Sequence, residues 1–391
     1  MWVSLEGMDL PRLSELIDQG ALPHFQDLVE GGCSGILNAR LPLLPEPLFA
    51  TMAAGCPPGR HGITSPLSSR CGTVPLAIGS GDWESPPLWE FLREEGHPCH
   101  LINIPGTHPA SGLGVTVSPL FINQASARPR EELMPMRDVS PAEMRTLMLD
   151  QVVDPRRIDT ATMQLFVPDL ARIDQEHDDR LDRLARILAR NLTIHGAACH
   201  ALLAADWQVA AIRYTLVDEV GHLVPGVNSP PAPWLDHHDL EIYGKATEGA
   251  YRLCDLFLKR LVELAGPGTT ICVTSPSSFL PGTMISPLPR PATGHRHEEH
   301  SPRGLIILKG PETGRDGLVH GAALEDVGVT LLHAAGFSPP PGMTGRVLGE
   351  VFGAADPPLK ELSRPQAVHE HPTEAESEFL LEARTRDLSP D

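Results

Sequence analysis

Trp2-Val3-Ser4-Leu5-Glu6-Gly7-Met8-Asp9-Leu10-Pro11 passes from an apolar run, through a glycine-containing turn, into the start of a helix. Pro11 fits that start because the first helical N–H has no partner to lose. The same strand–turn–helix alternation recurs along the chain. A second helix covers about 23–30 and stops at Gly31-Gly32. Residues 48–54 form a helical patch closed by Gly55, and Ser85-Pro86 opens a helix that Gly96 ends. Residues 99–104 read as a buried strand. A long helix follows over 178–205, with Leu181, Leu184, Ile187, Leu188 and Leu192 at helical spacing. Residues 208–214, 270–274 and 305–308 return to strand, and 242–264 to helix. Apolar strands separated by amphipathic helices imply an α/β fold: three layers, a mostly parallel central sheet and helices on both faces.

From 111 to 184 the alternation weakens and charge rises, and Ser140-Pro141-Ala142-Glu143 has the form of a capping box. We read this stretch as an inserted cap region, with the core in 1–110 and 185–352. Residues 353–391 are polar and lack a core pattern, so a mobile tail is expected there.

The chain has 391 residues, 41% of them hydrophobic, which suits a soluble core of ordinary size. Its 40 prolines and 35 glycines imply many turns and long ordered loops, a setting for a site built above a sheet. A formal charge of −19 repels phosphate backbones, so a nucleic-acid polymer is not an expected partner. A small phosphorylated ligand remains compatible, because a bound metal inverts the local field; a protein partner is the other expectation. The seven cysteines are scattered, with no C-x-x-C pair, and read as reduced core thiols. No signal peptide and no apolar run of membrane-spanning length is apparent, so the expected compartment is the cytoplasm.

Three clusters of donor residues stand out. In Tyr214-Thr-Leu-Val-Asp218-Glu-Val-Gly-His222 a strand ends and a carboxylate and an imidazole follow four residues apart. Open α/β sheets place their sites beyond the carboxyl ends of the strands, and an Asp–His pair suits zinc or a similar divalent ion. By itself the spacing is also that of a solvated surface pair. Gly294-His295-Arg296-His297-Glu298-Glu299-His300 precedes the 305–308 strand and supplies either a metal ligand or a charged loop. Asp236-His237-His238-Asp239 follows a proline-rich loop, and there Asp239 reads as a helix cap.

The order of segments resembles the alkaline phosphatase superfamily, most closely the bacterial type I phosphodiesterase and nucleotide pyrophosphatase group. Leu5-Glu6-Gly7-Met8-Asp9 resembles the first-strand motif of that family. Residues 16–35 resemble the helices and turn that follow, and Phe49 to Ile63, ending in Pro-x-x-His-Gly, the helix after the nucleophile. Residues 85–109, 243–274 and 304–352 resemble the later helix–strand units, including Gly342-Met343-Thr344-Gly345-Arg346-Val347-Leu348.

In such proteins one metal is held by an Asp, a His four residues later and a His before a late strand. The resemblance assigns these roles to Asp218, His222 and His300, with His295 and His297 less well placed. The second metal site is altered. Its first carboxylate falls on Glu6, one methylene longer than the usual Asp and still a candidate ligand. Its nucleophilic Ser or Thr falls on Pro45, ten residues before Gly55, and its Asp–His pair falls on Pro276 and Ser277. Thr51, Ser277 and Ser278 are the nearby hydroxyls that could replace the nucleophile. Losing a nucleophile and most of one coordination sphere removes large catalytic terms. The resemblance therefore implies one divalent ion, zinc by its ligand types, and a catalytically impaired homologue acting in binding or regulation. The alternative is an active metal-dependent phosphate- or sulfate-ester hydrolase with a mononuclear site and an ion-activated water. A purely structural partner without metal is the third reading.

Overall fold

β1 (Trp2–Leu5) shows how the molecule is layered, because its side chains divide between two cores. Val3 and Leu5 enter one apolar cluster, whereas Trp2 enters the other and stacks on Phe49 with ring centroids 4.7 Å apart. The computed structural model describes residues 1–68, 76–134, 136–285, 299–352, 359–365 and 370–386.

The remaining strands are β2 (Cys33–Asn38), β3 (Cys99–Ile102), β4 (Thr116–Val117), β5 (Val139–Ser140), β6 (Val209–Tyr214), β7 (Ile271–Ser275), β8 (Ser278–Phe279), β9 (His300–Ser301), β10 (Arg303–Lys309) and β11 (Gly317–Ala323). With β1, eight of these form one nine-stranded sheet in the order β11-β2-β10-β7-β1-β6-β3-β4-β5, and β8 pairs with β9 separately. β1 is parallel to both neighbours, β6 and β7; β10 runs antiparallel between β2 and β7. Helices cover both faces, so the expected α/β class is the observed one. The Arg180–Ala204 and Ala246–Ala265 helices pack in the core that holds Val3, and the Pro45–Ala54 and Leu324–Ala334 helices in the core that holds Trp2.

Helix starts follow local chemistry. Asp9 caps the Leu10–Asp18 helix by accepting from the Arg12 N–H at 2.6 Å. The Pro23–Glu30 helix has no cap of its own. The carboxylate of Asp255, on the Ala246–Ala265 helix, accepts from the His24 and Phe25 N–H groups at 3.0 and 2.8 Å instead. Cys33, Cys56, Cys99, Cys254 and Cys272 are buried free thiols and Cys199 is half-buried; Cys71 lies outside the described residues.

Two regions depart from expectation. Residues 111–184 do not stand apart as a cap: β4 and β5 extend the main sheet, and Val117, Phe121, Met148 and Phe166 belong to the large core. Two-residue strands are too short to show a period of two, which is why the alternation fades there. Ser140 lies in β5 rather than capping a helix; the next helix is Met144–Leu149. Beyond residue 353 the described part of the tail includes a Glu374–Arg386 helix. It begins with a reciprocal cap, in which the Thr373 N–H donates to Glu376 and the Glu376 N–H to Thr373. The Glu376 carboxylate is buried against Arg137, with oxygen and nitrogen 3.0 Å apart. Among the described residues, no helix is long and apolar enough to cross a membrane.

Candidate metal centre

β6 ends at Tyr214 and the chain turns at once into the Leu216–Leu223 helix. Leu216, Val217, Val220 and Leu223 face the core, which leaves Asp218 and His222, one turn apart, together on the other side. Asp218 lies in the first turn, where the amide dipoles favour a carboxylate. Two glycines allow the close packing. Gly7 has φ +85°, and a side chain there would come within 2.8 Å of the Asp218 nitrogen. At Gly221 a methyl group would strike the Phe279 ring at 2.4 Å.

His300 arrives on β9, which pairs with β8 so that His300 lies opposite Phe279. The three groups then converge. His300 Nε2 is 3.2 Å from Asp218 Oδ1, His222 Nε2 is 3.7 Å from the same oxygen, and the two imidazole nitrogens are 3.1 Å apart. The Phe279 ring packs against both imidazoles at 5.0 and 4.5 Å.

The remaining ring nitrogens settle what these groups present. His222 Nδ1 is 2.7 Å from Glu299 Oε2, and His300 Nδ1 is 3.2 Å from the Ser278 carbonyl oxygen. Both partners are acceptors, so each Nδ1 carries a proton, and in a neutral ring each Nε2 then presents a lone pair. Two lone pairs and a carboxylate oxygen pointing at one spot repel one another unless a cation lies between them. The spacing suits one: a tetrahedral ion with bonds of about 2.1 Å has ligand–ligand edges of about 3.4 Å. Burial pushes the Asp218 carboxyl up to about 6; His222 and Arg213 oppose the rise, and Glu6 and Glu299 add to it. With 22% of its side-chain surface open, Asp218 remains reachable from solvent. Asp174, Glu176 and His177 form a second cluster of donors, but all three are exposed.

The second-site positions behave differently. Glu6, expected as a longer-reach ligand, is taken by Arg213. The pair is bidentate, with Arg213 Nε 2.7 Å from Oε1 and Nη2 2.8 Å from Oε2, and the two side chains keep 5% and 11% of their surface. Pro45 begins the Pro45–Ala54 helix and has no hydroxyl to offer. At the end of β7, the Ser275 hydroxyl donates to the Ser277 carbonyl at 2.8 Å and accepts from the Met8 N–H. Two of the three substitute hydroxyls are engaged too: Thr51 donates to the Pro47 carbonyl, and Ser278 to that of Arg303. Among the described residues, this donor set does not fit a second divalent ion.

Asp236 caps the His237–Tyr243 helix by accepting from the His238 N–H, whereas Asp239, the expected cap, pairs with Arg180 at 2.8 Å. His295 and His297 lie outside the described residues. Sequence reasoning passed over the structural roles of Glu299 and Arg213. An acidic residue beside a candidate ligand was the only available signal for Glu299, and nothing local marked Arg213.

Comparison with known proteins agrees with this architecture. The profile of the type I phosphodiesterase / nucleotide pyrophosphatase family matches residues 2–282. A search of curated proteins found no match. Among solved structures, a putative sulfatase from Bacteroides thetaiotaomicron VPI-5482 superposes with a TM-score of 0.57 at 12% identity, covering 90% of this chain and 73% of that one. The 2-O GAG sulfatase BT1596 gives 0.53 at 12% identity, covering 89% and 73%. Phosphonoacetate hydrolase from Sinorhizobium meliloti 1021 gives 0.40 at 16% identity; the match covers 71% of this chain and 55% of the hydrolase's length. The two sulfatase superpositions are likenesses of fold. With the family profile matching well over half its length, the chain belongs to the type I phosphodiesterase / nucleotide pyrophosphatase family, within the alkaline phosphatase superfamily.

Proposed function

We propose that this protein is a metal-dependent hydrolase of phosphate or sulfate esters that works with one divalent ion, zinc by its donor set, held by Asp218, His222 and His300. The observation that carries this reading is the convergence of those three donors within 4.8 Å of one another, with both imidazoles oriented from behind. A carboxylate behind a ligating histidine fixes its tautomer and raises its basicity; a solvated surface pair has no need of one. Three protein ligands leave a fourth position open, the arrangement of catalytic rather than structural zinc sites. When bound, the ion supplies Lewis-acid charge and a water of lowered pKa.

The chain's own residues do the rest. Asp218, His222 and His300 bind the ion, Glu299 and the Ser278 carbonyl orient the rings, and Phe279 shields one side of them from water. A cavity of about 500 Å³ is lined by Phe279, Tyr251, Asn228 and Arg303 and can take the organic part of an ester. The Asn228 amide nitrogen is buried without a hydrogen-bond partner among the described residues, a donor left over for a ligand acceptor. The resemblance of fold to two sulfatases makes a sulfate ester as natural a substrate as a phosphate ester.

The second reading is a catalytically impaired homologue that binds or regulates, and Pro45 and Pro276 favour it. Zinc content measured alongside turnover on phosphomonoester, phosphodiester and sulfate-ester reporters separates the two. Stoichiometric zinc with turnover that D218A abolishes is the expected result. Zinc without turnover on any reporter supports the impaired homologue, and protein free of divalent ion sinks both metal readings.

A further inference from the structure

The Glu6–Arg213 pair lies in the middle of the sheet, on adjacent strands, at the carboxyl end where the candidate centre sits. β1 and β6 are in parallel register with Ser4 beside Arg213 and Leu5 beside Tyr214, so Glu6 continues past the end of β1 toward the guanidinium. Glu6 is followed directly by Gly7, where an added Cβ would lie 2.8 Å from the Asp218 nitrogen. A carboxylate with 5% exposure needs a cation beside it. Here the cation is part of the chain, and it does not use all its donors. Nε and Nη2 bind Glu6, while Nη1 has no hydrogen-bond partner among the described residues. The guanidinium is planar, always charged and matched to oxyanions.

We propose that the Arg213 guanidinium, fixed by Glu6, takes the place of a second metal ion and holds an oxygen of a singly charged tetrahedral ester beside the Asp218–His222–His300 centre. The inference deepens the hydrolase reading and rests on it. Its substrate preference follows from charge. A divalent ion against one carboxylate leaves a net charge of about +1, whereas a guanidinium against the same carboxylate leaves about zero. The pocket therefore discriminates against an ester carrying two negative charges and favours those carrying one, namely phosphodiesters and sulfate esters.

The test uses the full chain loaded with zinc and three probes at pH 8: dimethyl phosphate, methyl sulfate and methyl phosphate, the last a dianion. Isothermal titration calorimetry gives their affinities and metal analysis gives the zinc content. Wild type is expected to hold one zinc and to bind dimethyl phosphate or methyl sulfate more tightly than methyl phosphate; the better of the two monoanions identifies the ester class. R213A strands the Glu6 carboxylate and endangers folding, so R213M/E6Q, which removes both charges at similar volume, is the decisive variant. It should retain one zinc and lose about tenfold to a hundredfold in affinity for the monoanions. R213K should recover part of that loss. Two zinc equivalents in wild type, unchanged monoanion affinity in R213M/E6Q, or no measurable monoanion binding to zinc-loaded wild type would each overturn the proposal. A wild type that takes up no zinc removes the hydrolase reading instead, and the wild-type-to-variant comparison in zinc-free protein still measures the guanidinium's share.

Discussion

The Asp218–His222–His300 cluster and the Glu6–Arg213 pair occupy neighbouring places at the carboxyl ends of β6 and β1, and they balance buried charge in opposite ways. In the first, the described groups facing the centre are a carboxylate oxygen and two imidazole nitrogens, and the groups behind them include Glu299 and the Ser278 carbonyl. In the second, the carboxylate meets its cation within the chain at 2.7 and 2.8 Å. The first region gathers donors suited to an ion from outside, whereas the second balances its charge within the chain and keeps only one guanidinium nitrogen unbonded among the described residues. In the first region burial, chiefly, pushes the Asp218 carboxyl up to about 6. A self-neutralised pair contributes to the fold.

Four expectations would sharpen or break that contrast. The largest concerns function at the first region: H300A or D218A should abolish zinc retention and cut turnover of a responsive ester reporter by on the order of a thousandfold. Retained zinc in D218A would show that the ion lies elsewhere. The next concerns stability at the second region. R213A should destabilise the protein by about 3–5 kcal/mol in urea denaturation, because Glu6 stays buried without its partner. R213M/E6Q should lose far less, and metal-free D218A should lose little, since it relieves repulsion with Glu6 and Glu299. Equal losses for R213A and D218A would erase the distinction between the two regions.

Third, zinc at a hundred times its dissociation constant should stabilise wild type and R213M/E6Q by about 2.7 kcal/mol while leaving D218A unchanged. Thermal melts with and without chelator read this directly. The smallest effect is expected behind the centre: E299Q should weaken zinc binding tenfold to a hundredfold, measured by competition with a chromophoric chelator, without altering the melting temperature of the metal-free protein. An E299Q protein with wild-type zinc affinity would reduce Glu299 to a bystander.

Much of this was legible before any coordinates. The long amphipathic pattern from Leu181 to Leu192 predicted a helix that the structure places at Arg180–Ala204, and the 208–214 run became β6. The D-x-x-x-H spacing marked Asp218 and His222 as a pair, and the Leu216–Leu223 helix puts them on one face, because four residues make about one turn. The Thr373-x-x-Glu376 cap was equally readable and was overlooked in a stretch dominated by charge. The edge strands β4 and β5 were not readable at all, since a strand of two residues has no periodicity to detect.

The residue types that handle charge, and their distances along the chain, belong to the sequence alone: a carboxylate and an imidazole one turn apart, a proline where a hydroxyl would be needed, a glutamate after the first strand. Which charges meet belongs to the tertiary structure. Glu6 and Arg213 are 207 residues apart, and His222 and Glu299 are 77 apart. Only the parallel register of β1 and β6, and the β8–β9 pairing that carries His300 inward, bring them to hydrogen-bonding distance. Short-range order follows from local sterics and periodicity, whereas electrostatic partnership depends on contacts that exist only once the sheet has formed.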